Sequence, residues 1–297
     1  MVYFKLVLVT LFWGGTFLAT KIAGQYFGPF TGAALRFIFA MLLLMPLVLV
    51  REPSALKMPK QQMIIPAIMG LAGIFGYNYF FFTGLQLVPA ARGALIVALN
   101  PSMVMLASAL SGREALTARR AIGIAISFLG ALIVISRGNL AGIAGEISFG
   151  DVLMLGCPLT WAVYTLFSRR AAFLMSSMAT TFWSVAFGLA MLVMASFAEN
   201  TNWPGVAPVS WLALAYLGIF GTVLGFWWYN EGIRQLGPTK TAIFNNLVPV
   251  FGVSLSVLLL NEPLTLPMLL GGFIVISGVI LTVTAPAAPI AGISKAG

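Results

Sequence analysis

Apolar residues are grouped along the chain into ten long stretches with few polar positions inside them. Each stretch is about 20 residues long, the length that an α-helix needs to cross about 30 Å of hydrocarbon. The pattern therefore predicts an all-α integral membrane protein with ten transmembrane helices joined by short loops. The predicted segments, numbered 1 to 10, cover residues 4–21, 30–50, 63–83, 91–111, 117–136, 150–168, 177–198, 210–230, 240–260 and 265–285.

The overall composition agrees with this pattern. Of the 297 residues, 60% are apolar and 8% are charged, and the mean hydropathy is +1.02. A soluble domain carries about a quarter charged residues. Because the loops are too short to form an extramembrane domain, we expect the protein to act within the bilayer.

The chain contains no histidine and a single cysteine, Cys157. The lack of histidine excludes metal sites, general bases and proton relays that use that residue, and one cysteine excludes an internal disulfide. We expect no metal site and no cofactor. An intramembrane enzyme would need paired carboxylates, a Ser/Lys dyad or a metal cluster at membrane depth, and no acidic residue lies in the middle of a predicted segment. We therefore expect that the protein is not an enzyme.

The second half of the chain repeats the first. At an offset of 148 residues, the sequence from Leu99 aligns without a gap with the sequence from Leu247. The matched pairs include residue types that shared apolar character does not explain: Trp13 with Trp161, Pro101 with Pro249, Glu114 with Glu262, Thr117 with Thr265, Gly123 with Gly271, and Gly130 with Gly278. Each half holds five segments, an odd number, so the second half must enter the membrane from the opposite side. The sequence predicts a first five-helix repeat over residues 1–148 and a second, inverted repeat over 149–297 that ends in a short tail, an arrangement typical of alternating-access transporters.

Basic residues in the loops predict the orientation of the chain. Lysine and arginine accumulate on the cytoplasmic side of bacterial membrane proteins. With a cytoplasmic N-terminus, the cytoplasmic side carries twelve basic residues: Lys5, Arg51, Lys57, Lys60, Arg113, Arg119, Arg120, Arg169, Arg170, Arg234, Lys240 and Lys295. The outer side then carries three: Lys21, Arg92 and Arg137. We therefore expect both termini to be cytoplasmic, and we attribute the net charge of +9 to this bias rather than to nucleic-acid binding.

Several of these features together resemble a known family. The WGGTF and WAVYT sequences that begin at Trp13 and Trp161, and the GREALT and NEPLT turns before the last helix of each half, resemble the drug/metabolite transporter superfamily, in particular its EamA-like exporters. The resemblance covers nearly the whole chain. It implies a central cavity lined by helices 1, 3, 4, 6, 8 and 9, with helices 5 and 10 at the periphery. It also implies export of amino acids, amphiphilic drugs or other small metabolites.

Two prolines occupy equivalent positions near the middle of segments 4 and 9. Proline lacks an N–H and clashes with the carbonyl four residues earlier, so Pro101 and Pro249 are candidate hinges. Asn100, Asn245 and Asn246 lie in the same turns and are candidate substrate ligands at the interface between the repeats. The alternative is an ordinary transmembrane kink with asparagines that bond between helices.

Aromatic residues supply the other candidate ligands. Trp13 with Gly14, and Trp161 with Tyr164, lie in the middle of segments 1 and 6, where a ring can stack on an aromatic or cationic ligand. The runs YNYFFF at 77–82 and FWWYN at 226–230 add further candidates, namely Tyr77, Asn78 and Trp228. The alternatives are core packing for the first group, and contact with lipid or an interfacial aromatic belt for the second.

The ionisable residues of the segments suggest structural roles instead. Arg36 lies a few residues inside segment 2, and we expect it to extend toward the outer headgroups. Glu231 is close in sequence to Arg234 and Lys240, which predicts a solvated ion pair. Glu114 and Glu262 precede candidate helix N-caps, Thr117 and Thr265, and we interpret all four as structural. The glycine pairs in segments 5 and 10 predict closely packed helix faces.

These observations favour a secondary transporter of the bacterial cytoplasmic membrane that exports small amphiphilic metabolites, chiefly neutral and aromatic amino acids, by alternating access and without a proton relay. Its expected partners are a small-molecule substrate and the lipid bilayer, not nucleic acid. The alternatives are a carrier of another solute, such as a cationic drug or a phosphorylated metabolite, and a channel. The sequence leaves the oligomeric state open, and a monomer is compatible with it.

Overall fold

The structure is a computed structural model that describes residues 1–112, 115–139 and 146–284, apart from the side chains of Lys60 and Thr239. The predictions made for Arg113, Glu114 and Lys295 therefore lie outside the described residues. Within the described ranges the chain is helical and forms no β-strand.

Ten helices are long and apolar enough to cross a membrane among the described residues. They are α1 (Val2–Ala23), α2 (Pro29–Arg51), α3 (Ile64–Leu87), α4 (Ala90–Leu110), α5 (Ala118–Ile135), α6 (Phe149–Leu174), α7 (Ser177–Ser196), α8 (Pro208–Leu236), α9 (Lys240–Leu260) and α10 (Leu266–Val283). Short 3₁₀ turns at Pro53–Leu56, Lys60–Gln62 and Trp203–Gly205 lie in the connections. The ten helices confirm the segments predicted from the hydrophobic pattern, with ends that differ by a few residues.

Large apolar side chains cover the outer surface of the helices. Leu258 and Phe273 are each 73% exposed, and Phe197 is 84% exposed. In water, exposed apolar surface costs about 25 cal/mol per Å² relative to burial, whereas in hydrocarbon it carries no such cost. The surface therefore suits a protein surrounded by lipid chains.

Helices α5 and α10 pack directly against each other through glycines. A Cβ atom added at Gly123 would lie 2.7 Å from the carbonyl oxygen of Gly278, and one added at Gly130 would lie 2.7 Å from that of Gly271. No side chain fits at such distances, so the glycines are what allow the two backbones to meet. This is the closely packed face predicted for segments 5 and 10.

Helices α3 and α8 each contain a stretch of π-helix, at Gly70–Gly76 and Leu217–Leu224. A π-helical stretch is rare and is found mostly at functional sites. The two stretches occupy equivalent positions in the two halves, since Gly70 and Gly218 are 148 residues apart. Both glycines pack against the backbone of a neighbouring helix, Gly70 on α7 and Gly218 on α2.

Helices α4 and α9 are also interrupted at equivalent positions. In α4, a turn separates Ala90–Val97 from Asn100–Leu110. In α9, a 3₁₀ turn at Phe244–Asn246 precedes the stretch Leu247–Leu260. Each interruption is followed closely by the proline of that helix, which falls in the first turn of the following stretch. Its missing N–H leaves no broken hydrogen bond there.

Carboxylates join helix ends at the face of the bundle where α1 ends. Glu199 accepts hydrogen bonds from two backbone N–H groups in the first turn of α2, at 2.9 and 2.7 Å. Glu262 does the same in the first turn of α4, at 2.8 and 2.9 Å. Lys21 donates to the backbone carbonyls of Leu85 and Val88 at the end of α3. Charge-assisted hydrogen bonds of this kind are stronger than neutral ones, so the helix ends at this face are held together.

The structure corrects the predicted partner of Glu231. Its carboxylate pairs with Lys5 at 2.7 Å, not with the neighbouring residues Arg234 and Lys240. The pair joins the start of α1 to the end of α8, and its side chains are 27% and 24% exposed. Sequence proximity was misleading because Glu231 lies on the side of α8 that contacts α1.

One of the two predicted N-cap hydrogen bonds is present. The Thr117 side chain accepts a hydrogen bond from the backbone N–H of Arg120 at the start of α5. Thr265 occupies the N-cap position of α10, but its side chain makes no capping bond. Pro267 is the second residue of α10 and has no N–H to donate, which removes one of the two usual partners of a capping side chain.

Candidate functional site

A cavity lies in the middle of the bundle, among α1, α2, α3, α4, α6, α8 and α9. These are the six helices that the family resemblance implies, with α2 in addition. The residues that line it are Trp13, Thr16, Phe17, Arg36, Tyr77, Asn78, Phe81, Val97, Asn100, Trp161, Phe226, Asn245 and Val248. Its volume is about 40 Å³, whereas pockets that hold small-molecule ligands measure roughly 300–1,000 Å³. The cavity is therefore smaller than a pocket that holds a small-molecule ligand.

Aromatic rings form one wall of the cavity, with Trp161 at its centre. The Trp161 ring contacts Trp13 edge-on, with ring centroids 5.2 Å apart, and Phe226 edge-on at 5.6 Å. It stacks on Tyr164 at 5.1 Å and meets Tyr77 at 5.6 Å. These separations are in the range that favours aromatic pairs. Rings from four different helices thus present faces and edges to one small volume.

Two asparagines at the helix interruptions supply polar groups to the cavity. Asn100 begins the second stretch of α4, and its side-chain Oδ1 is buried without a hydrogen-bond partner among the described residues. The Asn245 carboxamide lies near the Tyr229 hydroxyl but meets no partner at hydrogen-bond geometry. A buried polar group without a partner costs about 1–3 kcal/mol. Such groups are suited to bind a polar ligand.

Arg36 is the one charged residue among the described residues that line the cavity. Its side chain leaves α2 and lies between α3 and α8. The guanidinium Nε donates to Thr222 Oγ1, and Nη1 donates to Asn78 Oδ1, both at 3.0 Å. Arginine stays protonated in proteins at neutral pH, so the cavity carries a positive charge.

The prediction that Arg36 reaches the outer headgroups is therefore wrong. Arg36 is 4% exposed and points into the bundle. The reason is the packing of α2 against α8, where a Cβ added at Gly218 would contact the Arg36 carbonyl oxygen and Ala40. Small residues one turn before and after Arg36, Gly32 and Ala40, mark a protein-facing side of α2, and this spacing was the available signal.

Six of the ten predicted ligands line the cavity: Trp13, Tyr77, Asn78, Asn100, Trp161 and Asn245. The other four, Gly14, Tyr164, Trp228 and Asn246, do not. Gly14 packs against the backbone of α9 at Gly252, and Trp228 packs against Phe12 beside Lys5. The Asn246 side chain is buried with its Oδ1 unpaired outside the cavity. Whether a predicted ligand lines the cavity depends on the side of the helix that it occupies, because adjacent residues point about 100° apart on an α-helix.

Tyr164 instead belongs to a buried hydrogen-bond network next to the cavity. Asn230 donates to the Tyr164 hydroxyl at 3.0 Å and to Thr181 at 2.9 Å, and it accepts from Ser168 at 2.6 Å. The network joins α6, α7 and α8 behind the aromatic wall. Sequence reasoning missed it because its members are scattered polar residues on three segments.

Part of each aromatic run faces the protein interior. In the first run, Tyr77 and Phe81 line the cavity and Phe82 is buried against Gly32 of α2. In the second, Phe226 lines the cavity and Tyr229 is buried. The alternative of a lipid-facing belt does not describe these rings.

The buried thiol of Cys157 also lies between helices near the cavity. Its sulfur is on α6, 3.9 Å from the Tyr77 carbonyl oxygen on α3. No further thiol exists in the sequence.

Comparisons with known proteins agree with this arrangement. The EamA-like transporter family matches the chain over residues 1–136 and again over residues 148–284. The uncharacterized transporter YyaM of Bacillus subtilis is 30% identical over 282 residues, which cover 94% of this chain and 92% of that protein. The aromatic amino acid exporter YddG of Ancylobacter novellus is 28% identical over 191 residues, which cover 64% of this chain and 66% of the exporter.

A solved structure shares the fold. It is described as "Crystal structure of protein", superposes with a TM-score of 0.70 at 24% identity, and the match covers 94% of this chain and 95% of the solved one.

Proposed function

Because this chain belongs to the EamA-like transporter family, we propose that it exports aromatic amino acids and related small amphiphilic metabolites across the bacterial cytoplasmic membrane. The family and its transporter-named relatives indicate a transporter rather than an enzyme. The substrate class and the mechanism are the proposed part.

The aromatic wall of the cavity carries the proposal. Rings from α1, α3, α6 and α8 converge on one volume in the middle of the bundle. An aromatic side chain that entered it would gain stacking and edge contacts on several sides. The unpartnered oxygens of Asn100 and Asn245 would accept hydrogen bonds from an ammonium group. The relative named as an aromatic amino acid exporter supports the same substrate class.

Alternating access is the proposed mechanism. It is supported by the paired irregularities of the helices: π-helical stretches in α3 and α8, and interruptions in α4 and α9. All four helices line the cavity, and the irregularities recur at equivalent positions of the two halves. If the halves are inverted repeats of residues 1–148 and 149–297, bending at one pair of sites opens one face while the other face stays closed.

Exchange or facilitated diffusion down the substrate gradient is the proposed energetics. No carboxylate lines the cavity in the part of the chain that the structure describes. Asp151, a buried carboxylate, is at the start of α6 and is paired with Arg92 at 2.6 Å. Proton-coupled transporters use ionisable relays at membrane depth, and among the described residues that line the cavity Arg36 is the one that carries a charge at neutral pH.

Purified protein in liposomes is expected to catalyse counterflow of labelled tryptophan and phenylalanine without a pH gradient. Vesicles preloaded with the unlabelled amino acid should accumulate label transiently, which a channel does not produce. Protein-free vesicles and preloading with glutamate serve as controls. Absence of aromatic counterflow with or without a proton gradient would remove the proposed substrate, and counterflow only with a gradient would remove the proposed energetics.

Reporter fusions are expected to place both termini in the cytoplasm. The expectation follows from twelve basic loop residues on one side against three on the other. A reporter fused after Lys295 should show cytoplasmic activity, and one inserted in the 199–208 loop should show periplasmic activity. The reverse pattern at both sites would contradict the proposed orientation. The same result at both sites would contradict the three crossings, α8 to α10, that separate them.

A further inference from the structure

We infer that Arg36 forms a carboxylate-binding subsite of the cavity, so that the transported molecules carry a carboxylate and cationic amphiphiles are excluded. The inference deepens the proposed function and rests on it. The proposed function assigns the aromatic end of the substrate to the aromatic wall, and this inference assigns its carboxylate end to Arg36.

The first step of the argument is the missing counter-charge. Within the described residues, both hydrogen-bond acceptors of the Arg36 guanidinium are neutral, the Thr222 hydroxyl and the Asn78 amide. The structure's described ion pairs do not include Arg36. A buried charge is normally paired, because the loss of hydration is otherwise uncompensated. Arg92 is another buried arginine, and its pairing with Asp151 makes the contrast within one molecule.

The second step is the donor capacity that remains. A guanidinium has five N–H donors in a planar fork, and the two hydrogen bonds to Thr222 and Asn78 use one on Nε and one on Nη1. Nη2 makes no hydrogen bond to a described residue, and it lies near Gly221, which lacks a side chain to cover it. Adjacent N–H groups of Nη1 and Nη2 are the fork that binds a carboxylate with two parallel hydrogen bonds.

The third step is the rigidity of the group. Asn78 donates its Nδ2 to the Ile74 carbonyl at 2.7 Å, and the Thr222 hydroxyl donates to the Leu217 carbonyl at 2.9 Å. Both carbonyls belong to the π-helical stretches of α3 and α8. The guanidinium is thus oriented by partners that are themselves held, which lowers the entropy lost when a ligand binds.

The arrangement gives the substrate two ends. A carboxylate at Arg36 leaves the rest of the molecule beside the rings of Trp13, Trp161 and Phe226, which line the same cavity. An amine without a carboxylate would instead meet a like charge in a medium of low dielectric constant, which is unfavourable. The cavity therefore selects against the cationic drugs that are the alternative substrates of such exporters.

Competition against tryptophan counterflow tests the inference with a matched pair of compounds. Indole-3-propionate and indole-3-propionamide have nearly the same shape and differ in the charged carboxylate, and tryptamine carries the amine alone. For the wild-type protein we expect the propionate to compete at least ~30-fold better than the propionamide, since losing one partner of a buried charge pair costs upwards of 2 kcal/mol. Tryptamine should be the weakest competitor.

Two variants then assign the preference to Arg36. Arg36→Gln should reduce the ratio between propionate and propionamide to less than about threefold while the propionamide still binds, which shows an intact cavity. Arg36→Lys should keep the preference for the propionate with weaker binding, because the charge stays but the fork is lost. Arg170→Gln removes an exposed arginine on α6 and should match the wild type. Direct binding to the detergent-purified proteins, read as ligand-induced thermal stabilisation, gives the same ratios without transport.

Each other outcome counts against the inference. Equal competition by propionate and propionamide, or better competition by tryptamine, in the wild type would overturn it and leave aromatic transport in place. A preserved ratio in Arg36→Gln would assign the preference to another group. If tryptophan itself shows no counterflow and no indole compound binds, the proposed function fails and the subsite fails with it.

Discussion

A Trp161→Ala variant is expected to raise the KM for tryptophan counterflow by at least ~30-fold, the scale of a central interface residue worth about 2 kcal/mol. Trp161 is 3% exposed and contacts rings from α1, α3 and α8 as well as Tyr164 on its own helix. Replacing it with alanine removes the ring that the other rings of the aromatic wall contact. Initial rates in liposomes at several substrate concentrations measure the effect.

The loss of so large a buried side chain also affects folding, because replacing tryptophan by alanine in a core costs about 3–5 kcal/mol. Trp161→Phe keeps a ring and should fall between the wild type and the alanine variant. Trp211→Ala makes the same chemical change at a ring that is 37% exposed and outside the cavity, and its KM should be unchanged. A folded Trp161→Ala protein with the wild-type KM would remove the aromatic wall from the binding site.

Pro101→Ala and Pro249→Ala are each expected to lower the maximal counterflow rate about tenfold, which corresponds to about 1.4 kcal/mol in the barrier. The physical reason is the interruption of the helix that precedes each proline in α4 and α9. In an uninterrupted α4 or α9 the position would lie in the helix interior, where alanine is about 3 kcal/mol more favourable than proline and supplies a backbone donor. The substitution thus favours a continuous helix over one that bends between two orientations.

The KM should change less than the maximal rate, because neither proline lines the cavity. Pro46→Ala is the matched control, since Pro46 lies inside α2 on its exposed surface, away from the cavity. Thermal unfolding in detergent should show both hinge variants folded. Wild-type rates in both hinge variants would return the two prolines to the category of ordinary kinks.

The helices and part of the site could be predicted because they depend on short-range properties. Stretches of about 20 apolar residues identify spanning helices directly, and the internal match identified Pro101 and Pro249 as paired interruptions. Trp13 and Trp161 were found because a ring so deep in the membrane has few partners other than protein or ligand. The glycine pairs of α5 and α10 were found because regular spacing of small residues has one main use in membranes.

The other features of the site depend on how each helix is rotated about its own axis. The hydrophobic pattern of the sequence does not determine that rotation. A π-helical stretch adds a residue to the turn, so it changes the direction of every side chain that follows it in the helix. The composition of α3 and α8 does not predict their π-helical stretches. The error over Arg36 had the same origin. Its distance from the helix end predicts a side chain that reaches the headgroups. Contacts with Gly218 and Asn78, on helices remote in sequence, instead decide the direction in which it points.

The buried position of Cys157 has a practical consequence for spectroscopy. As the one sulfhydryl in the sequence, sealed between α6 and α3, it gives the natural chain a low background toward aqueous maleimides and spin labels. Engineered cysteine pairs across the face where α1 ends can therefore carry paramagnetic or fluorescent probes without first building a cysteine-free protein. The rate at which Cys157 itself reacts with a thiol label then measures how fast the two helices that enclose it separate.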